Sequence, residues 1–194
     1  MTFAFTRLRA SDRGFREMSG AISADGDAVL SPARRWGAFF GLFGIASNEL
    51  LILTLGDVDQ VNDRLVALGS VRDAETLLLE PTVRPTSETP LSREGLYVFR
   101  FFEVAHRDVD QIAALSKQAW ESFESTSDYA AEPKALFCQA DRSSERGRML
   151  LLTWYDGFES WLTSRNPHPD ARENFLRRRD LTTGTVAYAT RLLA

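Results

Sequence analysis

Two apolar tetrads in this chain read almost alike, Leu51-Ile52-Leu53-Thr54 and Leu150-Leu151-Leu152-Thr153, at a shift of 99. Each is followed at the same spacing by an aspartate, Asp57 and Asp156. A second match lays Phe5-Thr6-Arg7-Leu8 over Val98-Phe99-Arg100-Phe101 at a shift of 93. An internal repeat is the strongest constraint on what a chain can fold into, because both copies must solve the same packing problem.

The elements follow the same order in each half. Thr2 to Arg9 reads as a strand rich in Phe and Thr. Asp12 to Leu30 reads as a helix weakened by Gly14, Gly20 and Gly26 and stopped by Pro32. Arg35 to Ala46 holds Gly37, Gly41 and Gly44 without the order of a phosphate loop, so a twisted or bulged strand is expected. Glu49 to Gly56 is a strand, Asp57 to Leu68 a helix and Glu75 to Val83 a strand. After the polar, proline-bearing segment Arg84 to Glu94 the order begins again. Leu96 to Val104 is a strand. Asp108 to Phe123 is a helix with an apolar stripe at Val109, Ile112, Leu115, Ala119 and Phe123. Lys134 to Ala140 and Met149 to Tyr155 are strands. Phe158 to Asp180 is helical, interrupted by Asn166-Pro167-His168-Pro169, and Thr183 to Leu193 is the closing strand.

Each half is therefore βαββαβ, which makes a four-stranded antiparallel sheet with both helices on one face. Strands this apolar need their other face covered as well. The expected fold is α+β, two tandem ferredoxin-like halves packed sheet to sheet as a pseudo-dimeric α/β barrel, with a chamber between the sheets. The boundaries expected are 1–86 for the first half, 87–94 for a linker and 95–194 for the second half.

Composition narrows the class. The 194 residues are 44% hydrophobic and 26% charged, ordinary for a globular chain. A net charge of -4 argues against a nucleic-acid backbone as partner. Lys117 and Lys134 are the only lysines. The run Arg177-Arg178-Arg179 reads as a solvated last helical turn facing the dipole. Cys138 is the only cysteine, so no intrachain disulfide forms and a cytoplasmic setting is expected. There is no signal-peptide pattern at the N-terminus, and no apolar run approaches the roughly 18 residues that span a bilayer. A monomer is feasible because one chain can supply both sheets; a homodimer stays open.

The element order resembles the ferredoxin-like, dimeric α/β-barrel superfamily, and the last hundred residues resemble the NIPSNAP domain. The matching pieces are Trp154-Tyr155-Asp156 ending a strand, Trp161 with Ser164-Arg165, Pro169-Asp170-Ala171-Arg172 leading into Phe175 and Arg178-Arg179, and the closing Ala189-Thr190-Arg191-Leu192. The first half matches in element order only. The resemblance implies a bacterial-type protein with a ligand chamber or a protein-interaction role. It does not imply one reaction, since the superfamily includes monooxygenases, haem-degrading enzymes and isomerases.

Arg100 sits inside an apolar strand and shares a face with Leu96, Val98 and Phe102. A charge there needs a partner or a ligand. The expectation is that Arg100 and its repeat partner Arg7 face the chamber and hold an anionic or carbonyl group; the alternative is a structural pair with Glu103 or Glu80. Trp154 and Tyr155 point to opposite faces, and one of them, with Trp36, is expected to wall the chamber. His106 is the remaining acid/base or haem-ligand candidate. His168 reads as loop packing, Cys138 as a buried thiol and Asp156 as a turn or N-cap residue. No zinc spacing and no nucleophile elbow is present. The function expected is binding of a small organic molecule without a dedicated metal. The alternatives are a cofactor-independent monooxygenase or haem-modifying enzyme, and a protein-interaction scaffold whose chamber is filled by its own side chains.

Overall fold

Among the described residues, the alternating and continuous apolar runs form eight strands, and the amphipathic segments between them form five α-helices. A computed structural model describes residues 2–58 and 61–193, those at 24–27 without side chains. The order is β1 (Phe3–Ala10), α1 (Arg16–Leu30), β2 (Arg34–Phe43), β3 (Glu49–Leu55), α2 (Val61–Val66), β4 (Val71–Pro81), β5 (Leu96–Ala105), α3 (Val109–Glu124), β6 (Ala131–Gln139), β7 (Arg146–Tyr155), α4 (Phe158–Thr163), α5 (Pro169–Asp180) and β8 (Thr182–Leu192). Part of the expected start of α2, residues 59 and 60, lies outside the described residues.

The chain divides into two compact units. The first holds Met1–Glu80, Ser87–Arg93 and Tyr188–Ala194. Its sheet runs in the order β4-β1-β3-β2, with the end of β8 beside β2. All these pairings are antiparallel. The helix side of the sheet, Ala4, Leu8, Leu50 and Ile52, packs with Met18, Ile22 and Leu30 of α1 and Val61 and Leu65 of α2. The glycine-rich strand is bulged as expected, with register shifts between Arg35 and Gly37 and between Gly41 and Phe43. The backbone at Gly41 lies close to Ile45: a Cβ there would stand 2.2 Å from Ile45 Cγ1, so a larger residue needs that side chain to move. The segment before β5 is tied down within this unit. Leu91 N–H donates to Trp36 O at 2.7 Å, and Trp36 Nε1–H donates to Thr89 O at 2.8 Å.

The second unit holds Pro81–Thr86 and Glu94–Ala187. Its sheet contains β6-β7-β5 with the start of β8 beside β5. Residues following β4 extend it at β6, where Thr82 N–H donates to Leu136 O at 2.9 Å and Leu136 N–H to Arg84 O at 3.0 Å. The helix side, Phe102, Val104, Leu136, Met149 and Leu151, packs with Val109, Ile112 and Trp120 of α3. The opposite side carries Tyr97, Phe99 and Leu152, all 0% exposed. Fully burying one side chain of this size is worth about 1.5–3 kcal/mol.

The strand register corrects the sequence repeat. Arg7 pairs with Leu51 in β3, whereas Phe101 pairs with Leu150 and Arg100 with Leu151 in β7. With Leu51 equivalent to Leu150, the counterpart of Arg7 is Phe101, and the counterpart of Arg100 is Thr6, opposite Ile52. The match at a shift of 93 is out by one residue, and a one-residue slip reverses every side chain. Arg7 thus lies on the face of its sheet away from the helices, while Arg100 lies on the helix-covered face of its own.

Candidate functional site

Within the second unit, a cavity of about 390 Å³ lies between the sheet and the helices α3 and α5. Strand alternation builds its floor. Val98, Arg100 and Phe102 project from β5, and Leu151, Thr153 and Tyr155 from β7. Trp120 and Phe123 of α3 and Phe175 of α5 supply the apolar wall, and the Phe123 and Phe175 rings meet edge to face at 5.6 Å. The mouth owes its shape to the proline interruption. Pro167 and Pro169 separate α4 from α5, and His168 caps α5 through Nδ1, which accepts from Asp170 N–H at 3.3 Å. Ser164, Arg165 and Pro167 of that turn line the cavity.

The lining residues include Arg100, Arg165, Arg172, Arg178 and Arg179 and no Asp, Glu, His or Cys. Arg178 is 6% exposed. Its guanidinium lies over Phe102 at 5.2 Å and Phe175 at 4.9 Å, and Nη1–H donates to Ser116 Oγ at 3.2 Å. Burial, with the nearby charge of Arg100, pulls the Arg178 guanidinium down to about 10. Arg100 is also shifted down, first by burial and then by Arg165. Burial pushes the Tyr155 phenol up, partly offset by the Ser164 hydroxyl and by Arg100. This arrangement suits holding and orienting a ligand's negative or carbonyl group; acid/base capacity within it is limited to one reluctant phenol.

Of the residues singled out from sequence, Arg100 and Tyr155 come together here. The others do not join them. Trp154 lies on the other face of β7, 3% exposed, and its Nε1–H donates to Glu94 O at 2.8 Å. Trp36 packs edge-on against Phe3 at 5.4 Å in the first unit. Arg7 forms an ion pair with Glu49 at 2.6 Å and lies over the Tyr188 ring. The expectation that Arg7 and Arg100 share a chamber is therefore corrected by the register. The pairing carboxylate for Arg7 is Glu49, rather than Glu80 or Glu103.

His106 does not offer an iron or an acid/base site. Its Nδ1 is 2.9 Å from Ser144 O, and its buried Nε2 has no hydrogen-bond partner. A Cβ built on Gly147 would stand 2.1 Å from that Nε2, so the nitrogen faces backbone and not open space. Among the described residues no group of three or more His, Cys, Asp or Glu side chains could hold a metal ion, and no helix is long and apolar enough to cross a membrane. Cys138 is 0% exposed in β6.

Sequence reasoning missed Arg178. It sits in a basic run whose sequence reads as solvated; Arg177 and Arg179 are exposed, but Arg178 is buried. The available signal was helical spacing: Ala171, Phe175 and Arg178 fall at i, i+4 and i+7, the positions of a core-facing stripe.

No protein-family model and no curated protein matches the chain. Solved structures do. An anthrone oxidase-like protein superposes with a TM-score of 0.62 at 11% identity, covering 100% of this chain and 92% of the other. A ferredoxin-fold protein related to antibiotic biosynthesis monooxygenases, from Listeria monocytogenes, gives 0.56 at 10% identity, covering 100% and 95%. A heme-degrading enzyme from Listeria monocytogenes gives 0.50 at 8% identity, covering 97% and 98%. Likeness at this identity speaks to architecture: the chain has an α+β fold of the ferredoxin-like, dimeric α/β-barrel kind, with two ferredoxin-like halves in tandem.

Proposed function

We propose that the chain binds a small organic molecule in the second-unit cavity, with Arg100 and Tyr155 as polar anchors and Trp120, Phe123 and Phe175 as the apolar wall. The observation that carries this reading is the cavity itself. Its volume of about 390 Å³ falls in the range of small-molecule sites, and arginine, phenol and hydroxyl groups converge there beside an aromatic wall. The ligand position differs from the chamber expected between the sheets, because Arg100 belongs to the helix-covered face. Native mass spectrometry of the purified chain tests the reading. A bound small molecule, released on denaturation, supports it. A bare chain mass, together with no thermal stabilisation by an aryl and acyl library, overturns it.

A second reading, cofactor-independent monooxygenase, is supported by the full-length likeness to an anthrone oxidase-like protein and by the aromatic wall. Oxygen uptake with the anthrone dithranol as probe checks it: consumption above the autoxidation blank favours oxygenation, and a rate equal to the blank removes it. The haem-modifying reading draws on the heme-degrading neighbour. His106 does not fit as its iron ligand, and the cavity lining holds no imidazole or thiolate, so no step is derived through haem. We also propose NIPSNAP kinship for the second half. It is supported by the positions of the shared motifs, with Trp154-Tyr155 closing β7 and Pro169-Asp170-Ala171-Arg172 opening α5.

A further inference from the structure

Elsewhere in this fold, three half-buried arginines meet carboxylates. Arg7 and Arg9 both reach Glu49. Arg84 meets Glu124 at 2.6 Å while lying over Trp120. The cavity breaks this pattern. The charged or ionisable groups near Arg100 are Arg165 and Arg178, both like charges, and the Tyr155 phenol. Arg178 is held by one hydroxyl and two aromatic rings, with Arg100 as a like charge nearby. A guanidinium has five N–H donors, and a buried one left without a counter-charge destabilises the fold.

Resting on the ligand-binding reading above, we propose that the cavity's ligand is an organic monoanion with an apolar body, an aryl or acyl carboxylic acid whose carboxylate is held by Arg100 and Arg178. The planar, two-oxygen carboxylate matches the fork of a guanidinium. Val98, Trp120, Phe123 and Phe175 around the pair offer apolar and aromatic surface that a bare inorganic anion leaves unused. One negative charge supplies the counter-charge that the chain itself does not bring to this site.

The test uses the full chain and thermal unfolding with five probes: octanoate, 4-phenylbutyrate, their neutral amides, and inorganic phosphate. The acids are expected to raise Tm by on the order of 5 °C near saturation, with the amides and phosphate giving less than a fifth of that shift. Amides that stabilise as well as the acids overturn the anion while leaving small-molecule binding intact. Phosphate that stabilises as well as the acids overturns the apolar body. No shift with any probe counts against both this inference and the reading beneath it. A second measurement needs no ligand. Arg100→Met removes one of two mutually repelling cations, so ligand-free R100M is expected to melt about 3 °C or more above the wild type and to lose the acid-specific shift. A fall in its Tm shows that Arg100 is already satisfied without ligand and overturns the proposal.

Discussion

Arg178 Nη1–H donates to Ser116 Oγ at 3.2 Å, and the same hydroxyl donates to Ile112 O at 2.7 Å. One buried serine thus connects the guanidinium of α5 to the backbone of α3. Ser116→Ala leaves the guanidinium without that acceptor and is expected to cost about 1–3 kcal/mol in urea unfolding. A change below about 0.3 kcal/mol would show that the hydroxyl does not hold Arg178.

Filling the cavity should separate binding from folding. Val98 is 5% exposed and lines the cavity floor. Val98→Phe places a ring where a ligand would lie, at an overpacking cost of about 1–3 kcal/mol. The expected outcome is an unchanged far-UV circular dichroism spectrum and loss of any co-purified molecule in native mass spectrometry. Retention of that molecule would move the site elsewhere.

Glu49 is the hub of the first unit's charges. It is 1% exposed and accepts from Arg7 Nη2 at 2.6 Å, Arg9 Nη2 at 3.0 Å and Ala46 N–H at 3.1 Å. Burial alone would raise its carboxyl, but the hydrogen bonds from Arg7, Ala46 and Arg9 outweigh it and hold the group below its usual value. Its contribution to stability is therefore complete above the ordinary carboxylate range and is lost as pH falls through the lowered value. Glu49→Gln is expected to cost about 2–4 kcal/mol at neutral pH. The gap between the two proteins should close on acidification; a gap that is constant with pH would contradict the ionic role.

Gly147 and His106 are coupled by space. A Cβ at Gly147 would sit 2.1 Å from Nε2 and 2.9 Å from Cε1 of the ring. Gly147→Ala forces the imidazole to move and is expected to cost about 1–3 kcal/mol. In a double-mutant cycle, His106→Ala should remove most of that cost, with coupling above about 0.5 kcal/mol. Additive effects would show that the ring does not obstruct the residue.

Much of the architecture was legible from local pattern. The strands around Leu51–Leu53 and Leu150–Leu152, the amphipathic stripe of α3 and the proline break before α5 are short-range signals, each set by side-chain period or backbone restriction. Arg100 was legible for the same reason, as a charge inside an apolar strand. Arg178 was not, because three adjacent arginines look alike in sequence, while helical geometry turns successive side chains by about 100° and buries only the middle one. The partners of Arg7, Trp36 and Trp154 were equally hidden. Glu49, Thr89 O and Glu94 O lie far from them along the chain or belong to backbone groups.

The sequence by itself determined that this chain repeats a βαββαβ unit and that each unit must bury a sheet face beneath its helices, since apolar period and turn chemistry act over a few residues. Only the tertiary structure decided which face each strand residue occupies. Register depends on pairing between distant segments, and a single-residue offset exchanges the two faces of a sheet. That offset separated Arg7 from Arg100, left Arg7 with Glu49, and brought Arg100 together with Arg178 in a cavity whose lining holds no carboxylate.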